Sequence, residues 1–122
     1  MPEYQPHLAE TSVLAFTSFL TDEELADILV MTVDWVRTHF DEIPGHKRLG
    51  MYYRFHRRAI EQWLGSLDRL LVVEQVAPLM KVPESWIYAN ADDIPGVLRL
   101  GRYVRFMPAT IRQFLAGSET CQ

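Results

Sequence analysis

The sequence contains one segment twice, at a constant offset of 51 residues and without a gap. Residues 20–64 aligned on residues 71–115 are identical at 17 of 45 positions. A constant offset over the whole alignment indicates that one structural unit has been duplicated. The length of 122 residues alone would favour a single domain. The repeat therefore predicts two small units of the same fold.

The repeat also predicts the boundaries of these units. We expect an N-terminal extension at 1–18, a first unit at 19–66, a linker at 67–69, a second unit at 70–118 and a tail at 119–122. Units this small bury little surface on folding. We therefore expect the two copies to pack together or to share a partner. The apolar residues between Leu8 and Phe19 predict a short docking segment, helical in character.

Each copy predicts the order helix, turn, helix, β-hairpin, helix. Thr21-Asp22-Glu23-Glu24 is the pattern of a capping box at a helix start. Alternating residues around Gly50 and Gly101 are typical of a hairpin with a two-residue turn. Helical spacing predicts which residues face inward, and these include Leu79, Phe114 and, with core or inter-unit packing favoured, Trp35 and Trp86. The predicted fold class is mainly α with small β-hairpins: a tandem winged helix-turn-helix.

The same strings resemble a known family. Leu71 to Ala77, Val82 to Tyr88, Ile94-Pro95-Gly96, Arg99 to Phe106 and Ile111 to Leu115 are similar to the excisionase/MerR-type winged helix-turn-helix DNA-binding family. The first copy repeats the pattern, and together the two cover about four-fifths of the chain. The resemblance implies that the second helix of each copy enters the DNA major groove. It also implies that the hairpin, or wing, contacts the backbone or minor groove.

Candidate DNA-binding residues lie on the second helices, the wings and the segment after the first wing. They are Arg37, Ser85, Tyr88 and Asn90; Arg48, Arg54, Arg99, Arg102 and Arg105; and Arg57 and Arg58. These side chains can donate to phosphates or base edges. The alternatives are a solvated helix face without a ligand and an internal ion pair that fixes the wing. Such a pair would join a repeated arginine (Arg48/Arg99 or Arg54/Arg105) to the repeated Asp41 or Asp92. Because Arg102 stands where the first copy has Met51, we expect the second copy to bind DNA better.

Charge and composition restrict the classes of function. The four histidines and the single cysteine, Cys121, show no metal-ligand spacing. No phosphate-binding glycine loop or activated nucleophile is present in the sequence. We therefore expect no enzyme activity, no cofactor and no metal. One cysteine, no secretory signal and no apolar run long enough to span a bilayer predict a cytoplasmic protein without a membrane partner.

The predicted function is sequence-specific binding of double-stranded DNA, as a small transcription regulator or an excisionase-like recombination directionality factor. Two units that both bind would need half-sites about 10 bp apart, or a multiple of that spacing. An integrase or recombinase, or another protein, is the further partner considered. The alternative is a protein-protein interaction module that has lost DNA binding, which the net charge of −4 favours. The oligomeric state is left open.

Overall fold

The computed structural model describes residues 18–120, and the side chains of residues 18–117. Residues 8–17 of the predicted docking segment and the last two residues of the predicted tail lie outside this range. The chain separates into two compact units. Within the described range, unit 1 holds residues 18–27 and 31–66, and unit 2 holds residues 28–30 and 67–120. The architecture is mixed: short helices with small antiparallel sheets.

The helices and strands follow one another in the order that the repeat predicts. The first copy runs β1 (Phe19–Thr21), α1 (Asp22–Leu29), α2 (Val33–Thr38), β2 (His46–Leu49), β3 (Tyr52–His56) and α3 (Arg57–Leu64). The second copy runs α4 (Val73–Met80), α5 (Glu84–Asn90), β4 (Val97–Leu100), β5 (Tyr103–Phe106) and α6 (Pro108–Thr120). A single 3₁₀ turn follows α2 at Phe40–Glu42 and α5 at Ala91–Asp93.

One strand pairing was not predicted. In unit 1 the strands form an antiparallel sheet in the order β1-β3-β2, with Leu20 opposite Phe55. In unit 2 Leu71 pairs with Phe106 in an isolated bridge, through two backbone hydrogen bonds of 2.9 Å. These are the residues equivalent to Leu20 and Phe55 in the repeat. The duplication has therefore preserved the backbone pairing as well as the side chains.

Helix α1 begins with the predicted capping box. The Glu24 backbone N–H donates to the Thr21 hydroxyl at 3.0 Å, and the Glu24 carboxylate accepts from the Thr21 N–H at 2.9 Å. In α4 the hydroxyl is lost, because valine stands at position 72. The reciprocal bond persists, since the Gln75 side chain accepts from the Val72 N–H at 2.9 Å. Both helices thus satisfy an N-terminal donor with a side chain three residues further on.

Both first helices end on a left-handed residue that is not glycine. Val30 has φ 55° and Lys81 has φ 58°. A bond from the Met31 N–H to the Ala26 carbonyl closes the first helix, and Val82 and Ala77 form the equivalent bond in the second. This is the Schellman pattern, in which glycine is the usual left-handed residue. A β-branched residue there is strained, so Val30 is held by its surroundings rather than by its own preference.

The Ile-Pro-Gly turn brings the backbone against the closing helix in each copy. The Gly45 carbonyl accepts from the His56 N–H at 2.8 Å, and the Gly96 carbonyl accepts from the Met107 N–H at 2.9 Å. Gly45 and Gly96 have φ values of 75° and 89°. A Cβ atom would lie 2.6 Å from the Ala59 Cβ at position 45, and 2.8 Å from the Thr110 Cβ at position 96. Conformation and space both require glycine here.

The two hairpins have the predicted turns and faces. Leu49 pairs with Tyr52 and Leu100 with Tyr103, so each turn has two residues. The first turn residue is Gly50 (φ 62°) or Gly101 (φ 63°), and the second has no positive φ, which is the φ pattern of a type II′ turn. Phe55, Val104 and Phe106 are buried, as the alternation predicts.

Each unit has its own set of buried apolar side chains. In unit 1 they are Leu20, Leu25, Ala26, Val36, Phe40, Ile43, Phe55, Ile60 and Leu64. In unit 2 the core cluster is Val73, Val76, Ala77, Ile87, Ala91, Ile94, Val104, Phe106 and Ile111. Phe40 lies edge-on to Phe55 with ring centroids 5.4 Å apart. Alanine takes the position of Phe40 in unit 2, so the two cores are filled differently.

Three side chains that the sequence places inside are exposed: Leu79, Trp86 and Phe114. A helix of two turns buries one stripe, and in α4 this stripe runs through Val73, Val76, Ala77 and Met80. Leu79 lies about 110° away from the centre of that stripe. Trp86 is one residue away from the buried Ile87, and Phe114 is one residue away from the partly buried Leu115, so both are rotated out of the core for the same reason. The inward prediction is therefore wrong for all three.

Candidate nucleic-acid interface

Helix α2 and the hairpin of unit 1 meet at one aromatic ring, that of Tyr53. The Arg37 guanidinium carbon lies 5.5 Å from the ring centroid and the Arg48 guanidinium carbon lies 4.1 Å from it. Arg37 comes from α2 and Arg48 from β2. Cation–π contacts hold both guanidinium groups in place while leaving N–H donors exposed. Two predicted DNA-binding residues from different elements are thus brought together.

Arg37 also has a structural partner that the sequence did not reveal. Its Nε donates to the Asp22 carboxylate at 2.7 Å, and Asp22 is the one charged residue buried in the described part of the chain. This hydrogen bond raises the pKa of Arg37. Unit 2 has valine at position 73 and tyrosine at position 88, where unit 1 has Asp22 and Arg37. Both members of the ion pair are therefore replaced by uncharged residues in the second copy.

Removing Arg37 alone is expected to destabilise unit 1. Arg37→Ala leaves the buried Asp22 carboxylate without its cation, and an unpaired buried charge costs more than the intact pair contributes. The double variant Asp22→Val with Arg37→Tyr installs the pair found in unit 2 and should recover most of the loss. Urea unfolding followed by circular dichroism measures both. A loss in the double variant equal to the sum of the losses from Asp22→Val and Arg37→Tyr measured singly would show that the two residues are not coupled.

The remaining candidates of unit 1 surround the hairpin. The Arg54 Nη1 donates to the Tyr53 carbonyl at 2.8 Å, and its guanidinium lies 5.1 Å from the Tyr52 ring centroid. Arg57 donates to the Ser18 hydroxyl at 3.2 Å, while Arg58 lies exposed on α3. The Arg48 Nε donates to the Gly50 carbonyl at 2.9 Å. Arg48 and Arg54 thus stabilise the hairpin while remaining at or near its surface.

Helix α5 carries the residues of unit 2 that are predicted to contact DNA. Ser85 and Tyr88 are exposed, and Trp86 is exposed beside them. The Asn90 side-chain amide donates to the Trp86 carbonyl at 2.9 Å, so part of its donor capacity is used to close the helix. Trp86 is a candidate contact that the sequence missed, because its identity with Trp35 favoured packing. Trp35 instead stacks on His39 with ring centroids 4.0 Å apart.

The hairpin of unit 2 holds one paired and one tip arginine. The Arg99 Nε lies 2.8 Å from the Asp92 carboxylate, and both side chains are exposed. The ion-pair alternative is therefore confirmed for Arg99. Such an exposed pair is weak and can exchange for a phosphate. Arg102 lies at the turn, where its Nη2 is 3.4 Å from the Tyr103 hydroxyl.

Arg105 has a largely internal role. Its Nε donates to the Leu29 carbonyl at 3.0 Å, and its Nη2 to the Val30 carbonyl at 2.6 Å. Burial lowers the pKa of Arg105, and the charges of Glu74, Tyr88 and Tyr103 act in the opposite direction. The Tyr103 ring centroid lies 5.7 Å from the Arg105 guanidinium carbon. A third carbonyl, that of Val104, accepts from Nη1 at 2.9 Å, and three carbonyl partners with partial burial make Arg105 the weakest of the predicted phosphate contacts.

Lys47 is a further candidate that was not selected from the sequence. It is exposed on β2 and lies opposite Arg54 in the sheet. Its neighbours along the chain gave the available signal, since five Lys or Arg residues and no acid lie between positions 47 and 58. The comparison of the two copies did not indicate Lys47, because leucine stands at the equivalent position of the second copy.

The described residues contain no group of three or more His, Cys, Asp or Glu side chains placed to hold a metal ion. No helix between residues 18 and 120 is long and apolar enough to cross a membrane.

Comparisons with models of protein families, with curated proteins and with solved structures gave no match. The proposal of a function is therefore based on the side chains of this protein alone.

Proposed function

We propose that the protein binds double-stranded DNA in a sequence-specific manner through two tandem winged helix-turn-helix units. In this proposal α2 and α5 are the reading helices, and the hairpins β2-β3 and β4-β5 are the wings. No chemical step, cofactor or metal is required. The biological role would be that of a small transcription regulator or an excisionase-like recombination directionality factor, in the cytoplasm.

The observation that best supports this proposal is the convergence of Arg37 and Arg48 on Tyr53. A helix that enters the major groove and a wing that reaches the flanking backbone must present their cations on one side of the unit. The shared ring places a helix cation and a wing cation within about 10 Å of each other, the sum of their distances to its centroid. Successive phosphates along one strand are separated by a similar distance of several ångströms.

Unit 2 supports the proposal with a different set of groups. Tyr88 is exposed on the helix, the Tyr103 ring of the hairpin lies 5.7 Å from the Arg105 guanidinium, and Arg102 extends the same hairpin at its turn. Hydroxyl groups such as those of Ser85 and Tyr88 contact phosphates and base edges without adding charge. We infer that unit 2 reads sequence mainly by hydrogen bonds. Covalent linkage to unit 1 raises the effective concentration of each weak site.

A matched pair of aromatic variants tests the reading helix. Tyr88 is 55% exposed on α5 and Phe114 is 40% exposed on α6. A duplex would first be selected from a random pool with the whole protein. Tyr88→Ala should weaken binding to that duplex at least about 10-fold, the loss of one good polar contact to a base or phosphate, while Phe114→Ala should leave it unchanged. Equal affinities for both variants and the wild type would remove α5 from the interface.

A second candidate function rests on an apolar groove in unit 2. Leu71, Leu79, Pro108, Ile111, Arg112 and Leu115 line a cavity of about 320 Å³. Exposed apolar side chains beside a groove often mark a protein contact. A protein partner, for example a recombinase, could insert an apolar side chain there. Leu79→Asp should then abolish that protein contact and leave DNA affinity unchanged; loss of DNA binding by this variant would contradict a separate protein site.

A further inference from the structure

The two hairpins differ most at their tips. In unit 1 the tip carries Leu49, Met51 and Tyr52, which are 41%, 74% and 54% exposed. In unit 2 the equivalent of Leu49 is Leu100, which is 5% exposed, and Arg102 replaces Met51. An apolar side chain as exposed as that of Met51 contributes nothing to the core of unit 1. The stability of the fold therefore does not explain the exposed apolar residues of this tip.

The shape of this tip is narrow. The turn has only two residues, and Gly50 contributes no side chain. A Cβ atom at Gly50 would meet nothing within 4 Å, so the space beside this turn residue is open. Met51 therefore projects from a slender two-stranded ribbon. A slender ribbon ending in one long, unbranched apolar side chain has the form of a wedge.

Cations lie directly behind the apolar tip. Lys47 and Arg48 are exposed on β2, and Arg54 lies opposite Lys47 on β3. The hydrogen bond from Arg48 to the Gly50 carbonyl ties a guanidinium group to the turn itself. A protein partner would account for the apolar tip but not for the cations behind it. Duplex DNA has phosphates on its backbones and apolar base stacks between them. It can therefore bind the apolar tip and the cations together.

We propose that the hairpin of unit 1 inserts Met51 as a wedge between base pairs in the DNA minor groove, with Leu49 and Tyr52 against the groove walls. This inference rests on the proposed function. Methionine and leucine are among the side chains that architectural proteins insert between base steps, and such insertion kinks the duplex. Lys47, Arg48 and Arg54 hold the phosphates on either side of the kink. Unit 1 thus deforms the site, while unit 2 reads it.

Fluorescence of 2-aminopurine placed at a TA step, which unstacks easily, tests the wedge. Binding of the wild-type protein should raise the fluorescence, and energy transfer between dyes at the duplex ends should report a bend of about 20–90°. Met51→Gln keeps the length of the side chain and removes its apolar character. It should lose more than half of the fluorescence rise while the dependence of binding on salt stays unchanged. Phe114→Gln, at an exposed apolar residue of α6 outside both hairpins, serves as the control and should leave the rise at this step intact.

The possible outcomes separate the two proposals. Binding without a fluorescence rise, or a rise that Met51→Gln leaves unchanged, would overturn the wedge and leave the DNA-binding proposal standing. In that case the tip is assigned to a protein partner. Absence of duplex binding by the wild type would overturn both proposals. Loss of the rise in Met51→Gln, with binding and thermal stability retained, is the result that the wedge requires.

Discussion

Replacing Arg48 and Arg102 together by alanine is expected to weaken binding to duplex DNA of mixed sequence by about 10–100-fold at low salt. Both side chains lie at a hairpin turn, and their observed bonds reach only to the turn carbonyl or a neighbouring tyrosine. Among residues 18–117, whose side chains the structure describes, neither arginine forms an ion pair with an acidic side chain. Each lost phosphate contact should also reduce the salt slope of the binding constant by about 1.

Fluorescence anisotropy of a labelled duplex measures this change. Arg112→Ala is the matched control, because Arg112 is an exposed arginine of α6 that lines the apolar groove and lies outside both hairpins. Its removal changes the charge of unit 2 by the same amount as the loss of Arg102 does. If Arg112→Ala weakens binding as strongly as Arg102→Ala, binding reflects overall charge. The hairpins would then have no special part in it.

Gly45→Ala and Gly96→Ala are expected to destabilise the unit that contains them by about 2–5 kcal/mol each. The left-handed conformation costs an alanine about 1–2 kcal/mol, and forcing a methyl group into occupied space costs a further 1–3 kcal/mol. The Cβ would meet Ala59 or Thr110 on the closing helix, as close as 2.6 Å and 2.8 Å. Urea unfolding followed by circular dichroism measures the loss.

Gly50→Ala provides the control for conformation alone. Gly50 has a positive φ of 62°, but a Cβ atom there meets nothing within 4 Å. Its loss should therefore stay near about 1–2 kcal/mol, the conformational part only. An equal loss for Gly45→Ala and Gly50→Ala would mean that the turn does not pack tightly against the closing helix. The repeated Ile-Pro-Gly would then reflect turn conformation only.

Local features of the fold could be predicted from the sequence because short-range chemistry determines them. The capping box at Thr21 and Glu24, the turns at Gly50 and Gly101 and the buried face with Phe55 each depend on a few neighbouring residues. The repeat strengthened the predictions of the turns and of the buried face, since a pattern seen twice is unlikely to arise by accident. Glycine at a hairpin turn is a direct signal for positive φ.

Features that depend on how elements meet could not be predicted. The left-handed conformation of Val30 contradicts the preference of valine, so tertiary contacts must impose it. The Asp22–Arg37 pair joins residues fifteen apart, across a helix crossing whose geometry no periodicity describes. The exposure of Leu79, Trp86 and Phe114 follows from which stripe of a short helix is buried. Two turns of helix contain too few apolar positions to determine that stripe.

The candidate site was predicted in part for the same reason. The wing arginines were identified because they recur, but their partners were not. In the structure Arg99 has an acidic partner, Arg105 has three carbonyl partners, and Arg48 lies over the ring of Tyr53. These differences arise because Asp92 lies within reach of Arg99, whereas Arg48 turns to the ring of Tyr53, a position occupied by Val104 in unit 2. Substitutions at neighbouring positions thus changed the role of a repeated residue.

The dependence of duplex binding on salt is the most direct test of the central claim. The whole protein would be titrated with a labelled duplex between about 50 and 200 mM salt. Phosphate contacts from about four of the exposed hairpin and helix cations predict that log K falls linearly with log salt, with a slope of about −3 to −5. A slope near zero, or no binding at 50 mM salt, would contradict the assignment of these surfaces to DNA.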